Sequence, residues 1–145
     1  MYSLTESRPE TVGVMACHKS QGRIIIPGGV NVWPHELRSA RALVAVGYVV
    51  EFVQVSRIDG VCTADVIING QKWEMKAPIS GQLASVERNL RRGSKQAENI
   101  VFDSRRMKQI PDEAVRRELC IQLHRINRIR RIIFINRHRK VIDIE

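Results

Sequence analysis

The chain has 145 residues, 43% of them hydrophobic but only 5% aromatic, so one domain can bury a core made largely of Ile, Val and Leu. No stretch approaches the roughly 18 apolar residues of a membrane span, the polar start MYSLTESRPE lacks the order of a signal peptide, and aromatics are too sparse for the stacking platform of a general single-strand binder. Of the net charge of +9, residues 1–86 carry 8 basic and 7 acidic side chains and residues 87–145 carry 16 and 8, an asymmetry that points to a polyanionic partner, nucleic acid first.

Residues 1–21 show no periodicity and read as a loose arm ahead of a single domain over 22–145. GRIIIPGG, residues 22–29, reads as an edge strand stopped by Pro27-Gly28-Gly29. Pro34 suits a first helical position, and Leu37, Ala40, Leu43 and Val44 follow helical spacing, giving a helix over 34–46. YVVEFVQV, residues 48–55, is β-branched and aromatic and reads as a strand. ADVIIN and KWEMKA form a hairpin. Ser80 caps a helix running to about residue 97, with Leu83, Val86 and Leu90 on one face. NIVFD, residues 99–103, is a strand. Pro111 opens a basic helix with Val115, Leu119, Leu123 and Ile126 inward and Arg116, Arg117, Arg125 and Arg128 outward. RIIFIN and KVIDIE close the chain as a second hairpin.

The first hairpin carries the chemistry. Asn69-Gly70 favours a two-residue type I′ turn, so Ile68 faces Gln71 and Asp65 faces Glu74. Opposed residues share a face with Cβ atoms about 4.5–5.5 Å apart, and Lys76, two residues beyond Glu74, joins them. Val66, Trp73 and Met75 point the other way, into apolar packing. Two facing carboxylates repel unless something compensates, and a divalent ion does so well. Glu36 flanks the apolar stripe of the preceding helix and offers a third acid, or simply balances the dipole of the first turn. A surface ion pair of Lys76 with either acid is the plain structural alternative. Cys17, Cys62 and Cys120 are widely spaced with no CxxC, as in a reducing compartment.

Glu36, then Ala64-Asp65, then Glu74-Met75-Lys76 resembles the PD-(D/E)xK nuclease pattern, with Ala64 where the motif's proline stands. The resemblance implies a restriction-endonuclease-like α/β core of helix, three-stranded antiparallel sheet, helix and strand, here followed by the basic helix and a C-terminal hairpin. ADVIINGQKWEMKAP with GSKQAENIVFD is similar to the C-terminal nuclease domain of CdiA-type contact-dependent inhibition toxins, some of which cleave tRNA. That likeness implies metal-dependent phosphodiester cleavage in the cytoplasm of a target bacterium, delivery as the C-terminal part of a larger secreted protein, and a cognate immunity protein. It also implies that Asp65, Glu74 and Lys76 are catalytic, that Glu36 supports the metal, and that Lys95 and Gln96 lie near the site; a lysine at a helix end is otherwise ordinary.

The expected function is therefore a metal-dependent nuclease acting on RNA, tRNA foremost, or on DNA. Asp65, Glu74 and Glu36 would hold Mg2+, or Mn2+ or Zn2+ in its place. Arg105, Arg106, Arg128, Arg130 and Arg131 would hold the phosphate backbone. Two rivals stand beside it: a metal-free RNase, for which His35 next to Glu36 is suggestive, and a non-catalytic nucleic-acid-binding module.

Overall fold

In the computed structural model, which describes residues 21–54 and 64–145, a seven-stranded sheet carries helices on both faces. The strands are β1 (Arg23–Ile25), β2 (Val49–Phe52), β3 (Val66–Ile68), β4 (Gln71–Lys76), β5 (Asn99–Asp103), β6 (Arg131–Ile135) and β7 (Val141–Ile144). The helices are α1 (Pro34–Ala45), α2 (Ala84–Gly93) and α3 (Asp112–Arg125). Strand order in the sheet follows chain order, with β3 antiparallel to both β2 and β4 and with β5 and β6 parallel to β4. β1 runs parallel to β2 at one edge, and β7 closes the other edge against β6.

The parallel connections explain where the helices go. A parallel pair needs a crossover, and α1, α2 and α3 supply those between β1 and β2, β4 and β5, and β5 and β6. α1 covers one face, with Ala40 and Leu43 buried against Val50, Phe52, Val66, Trp73, Val101 and Ile133. α2 and α3 cover the other, with Val86, Leu90, Val115 and Leu119 against Ile100, Phe102, Ile132 and Phe134. β5 and β6 are thus buried on both sides, which is why NIVF and RIIFI are nearly continuous apolar runs rather than alternating ones.

Several expectations shift. The helix expected from Ser80 starts at Ala84: the Ser80 hydroxyl accepts the Gln82 N–H at 3.1 Å, holding a turn ahead of the helix, and Leu83 stays 37% exposed instead of joining the buried face. That helix also ends at Gly93, short of residue 97. Apart from residue 21, the N-terminal arm lies outside the described residues, as do Cys17, Cys62 and the end of the strand expected over 48–55. Cys120 is half-buried and forms no disulfide. No helix among the described residues is long and apolar enough to cross a membrane.

Candidate active site

The β3–β4 hairpin adopts the register its turn dictates. Asn69 and Gly70 have φ of 50° and 84°, the positive pair that a type I′ turn requires. Ile68 pairs with Gln71, Ile67 with Lys72 and Val66 with Trp73. The next position places Asp65 beside Glu74. Two backbone contacts hold Asp65 there: its carbonyl accepts the Val53 N–H at 3.0 Å, and its carboxylate Oδ2 accepts the Met75 N–H at 3.0 Å. Val66, Trp73 and Met75 are buried toward α1, so Glu74 and Lys76 emerge on the α2 side.

Glu74 is only 3% exposed, and Lys76 Nζ lies 3.4 Å from its Oε2. Burial first, then the charge of Asp65, push the Glu74 carboxyl up to about 8; the nearby Lys76 ammonium opposes them without prevailing. Gly93, the last residue of α2, makes this proximity feasible. A Cβ there would come within 3.2 Å of Ile100 Cδ1 and 3.3 Å of both Glu74 Cγ and Lys76 Cε. The helix therefore lies directly on the stems of the two charged side chains.

These groups open onto a cleft of about 340 Å3 lined by Trp33, His35, Glu36, Asp65, Glu74, Met75, Lys76, Ala77, Pro78 and Asn89. Glu36 does reach this cleft, and it also caps its own helix: its Oε1 accepts the Trp33 N–H at 3.0 Å. Its carboxyl is raised, mainly by burial and further by Asp65, against the lowering effects of the Trp33 N–H and of His35. Among the described residues no three His, Cys, Asp or Glu side chains are grouped closely enough to form a protein-only metal shell.

The basic residues differ in where they sit. Arg105 is inward: its guanidinium meets Asp103 Oδ2 at 2.7 Å and the Arg38 carbonyl at 3.1 Å, and its side chain is 8% exposed. Ser39 Oγ donates to the same Asp103 carboxylate at 2.7 Å, so this trio ties α1 to the end of β5. Arg106 is half-buried, and its Nε has no hydrogen-bond partner among the described residues. Lys95 and Gln96 sit on the turn after Gly93. They line a hollow of about 440 Å3 with Arg128 and Arg130 and lie outside the lining of the carboxylate cleft. Exposed Arg130 pairs with Glu98 at 2.7 Å, whereas Arg131 pairs with Asp143 at 3.3 Å and covers the Trp73 ring at 5.1 Å.

Trp33, Asn89 and the Asp103 anchor were not among the expected site residues. Only packing of α1 and α2 around the end of β4 brings Trp33 and Asn89 to the cleft, and no local spacing signals that. Asp103 lies at the end of β5, and its Oδ1 accepts the Arg105 N–H at 3.0 Å.

Fold and cleft together define a mixed α/β domain with a buried carboxylate, a facing acid and a lysine gathered between the first turn of α1 and the last turn of α2. The model of the contact-dependent growth inhibition CdiA C-terminal domain matches residues 62–141, more than half of the chain, and the chain belongs to that family of toxin domains. Among solved structures it is similar to the CdiA-CT/CdiI toxin and immunity complex from Burkholderia pseudomallei, with a TM-score of 0.59 and 21% identity over 83% of this chain and 98% of that one, a likeness of fold. No curated protein matches the chain.

Proposed function

We propose that this toxin domain is a nuclease that cleaves phosphodiester bonds of RNA, tRNA foremost, in the cytoplasm of a target bacterium after delivery as the C-terminal part of a larger secreted protein. The observation that carries this reading is the buried Glu74 carboxylate, facing Asp65 across the hairpin and 3.4 Å from Lys76. The element order of helix, three antiparallel strands, helix and parallel strand, with an acid opposite Glu-x-Lys, supports membership of the PD-(D/E)xK superfamily and a restriction-endonuclease-like core.

The donor set suits a hard divalent ion. Asp65 and Glu74 offer carboxylate oxygens in a site where both cannot comfortably ionise alone, as the raised Glu74 carboxyl records. Asp65 and Glu74 would hold such an ion, with Glu36 engaged in its cap, and water and phosphate oxygens would complete its shell. That is the habit of Mg2+ or Mn2+ rather than the closed nitrogen and sulfur shell of structural Zn2+. Such an ion, when bound, would supply Lewis-acid polarisation of a phosphoryl oxygen and a more acidic water. The chain's own groups do the rest. The Met75 N–H orients Asp65. Lys76 brings a fixed positive charge to oxygens that gain negative charge as the bond breaks. Exposed arginines of the C-terminal half hold the backbone. A toxin of this kind requires a cognate immunity protein in the cell that makes it, and the neighbour from Burkholderia pseudomallei was solved with one.

One observation favours a second reading. A carboxyl raised to about 8 is poised for general acid–base work near neutrality without any ion, as in an RNase whose 2′-OH attacks. Both readings are tested by inducing the domain inside a bacterial host. The wild type should arrest growth and degrade tRNA before plasmid, whereas Glu74→Gln and Asp65→Asn, made at equal levels, should do neither. Arrest that persists in both variants would overturn the site.

A further inference from the structure

Trp33 is 66% exposed, yet it lines the same cleft as Glu36, Asp65, Glu74 and Lys76. A large indole left in water at a charged cleft calls for an explanation, because Trp is usually highly buried. It does not serve the core: the other tryptophan, Trp73, is 1% exposed and fills that role. Nor does the indole cap α1, since the contact there is from the Trp33 backbone N–H to Glu36. The cleft beside it is mostly polar, which suits a ligand carrying both a phosphate and a flat ring better than an apolar protein face.

We infer that Trp33 is the stacking seat for an unpaired base next to the scissile phosphate, so that the enzyme prefers single-stranded loops or ends over duplex. This rests on the nuclease reading above. Every base has a π-face, so a single indole selects for an unstacked base without selecting its identity. A duplex keeps its bases stacked on one another and cannot offer one without local opening. A single aromatic so placed would let a chain poor in aromatics distinguish strandedness.

The test compares wild type, Trp33→Ala and Trp33→Phe on a mixed-sequence single-stranded RNA oligomer, on the same sequence as a duplex, and on single strands with an abasic residue beside the cleavage point. Trp33→Ala should lower kcat/KM on the intact single strand by about tenfold or more, the size of one base–aromatic contact. Trp33→Phe should stay near wild type, and the abasic strand should erase the difference between all three. Separately, the single-stranded oligomer should quench tryptophan emission of the Glu74→Gln protein, and Trp33→Phe in that background should remove the quenching, because only buried Trp73 then remains. Equal kcat/KM for wild type and Trp33→Ala would overturn the inference. So would an equal loss in both Trp33 variants on every strand, including the abasic one, which would mark a structural role. Intact cleavage with weakened binding of a cognate immunity protein would overturn it too, reassigning Trp33 to protein docking. If wild type and Glu74→Gln are alike in cleaving no nucleic acid, the nuclease reading itself fails, and this inference with it.

Discussion

At the scale of single residues, Glu74 is a buried carboxyl held at a cost in stability. Its carboxyl is raised from the ordinary 4.5 to about 8 by burial and by Asp65. Below the ordinary value, folded and unfolded chains both carry the proton, and the site costs nothing through ionisation. Between 4.5 and about 8 the unfolded chain has released a proton that the folded chain still holds, so stability falls as pH rises, and it levels off above that window. Glu36, also raised, acts in the same direction. In EDTA the protein should therefore melt several degrees lower at pH 8 than at pH 5, since a tenfold change in proton affinity corresponds to about 1.4 kcal/mol. Glu74→Gln should flatten much of that slope while lowering cleavage by about a thousandfold or more. Thermal melts across pH for both proteins check this, and parallel slopes would place the pH dependence elsewhere. Mg2+ or Mn2+ should raise the melting temperature of wild type at pH 8 and do little for Glu74→Gln or Asp65→Asn. The pairing of Asp65 with Glu74 was legible in the sequence because an Asn-Gly turn fixes register over a few residues. Trp33 and Asn89 were not, because their place depends on how two helices pack around one strand end.

At the scale of elements, the hairpin, the last turn of α2 and the α1 anchor set the site's dimensions. Gly70 has φ of 84°, so Gly70→Ala should cost about 1 kcal/mol through the turn. Gly93→Ala is a different case. Its new methyl would press on Glu74 Cγ and Lys76 Cε at 3.3 Å and on the tip of Ile100. Helix propensity favours alanine, so overpacking of roughly 1–3 kcal/mol is partly offset. Cleavage should suffer more than stability, by about tenfold, as the two charged stems shift. Denaturant melts and kcat/KM on one RNA would separate these effects; a loss of stability with unchanged kcat/KM would show that Glu74 and Lys76 have room to spare. Ser39→Ala removes a buried hydrogen bond to Asp103 and should cost about 1–3 kcal/mol by leaving one carboxylate oxygen less satisfied. The element order and most helix and strand spans could be read from periodicity. Arg105 could not, because an arginine near a strand end looks the same in sequence whether it faces solvent or an aspartate two residues back.

At the scale of the whole molecule, charge and fold serve different steps. The C-terminal half carries most of the excess of basic residues, and α3 keeps Arg116, Arg117 and Arg125 exposed. On the proposed nuclease reading these would supply attraction to phosphates without naming the bond to be cut. In a Glu74→Gln background, Arg128→Gln with Arg130→Gln should weaken RNA binding and flatten the plot of log K against log salt by roughly 0.7 per lost contact on single strands. Arg131 is better left in place, because its guanidinium also covers Trp73. An unchanged slope would move the backbone contacts to other arginines. Whether Asp65, Glu74 and Lys76 form a nuclease centre is decided on purified protein. Incubated with total tRNA and with plasmid DNA, each with Mg2+ or with EDTA, wild type should cleave tRNA in Mg2+ and lose that activity in EDTA, while folded Glu74→Gln and Lys76→Met stay inactive throughout. Cleavage by either variant at the wild-type rate would contradict the account.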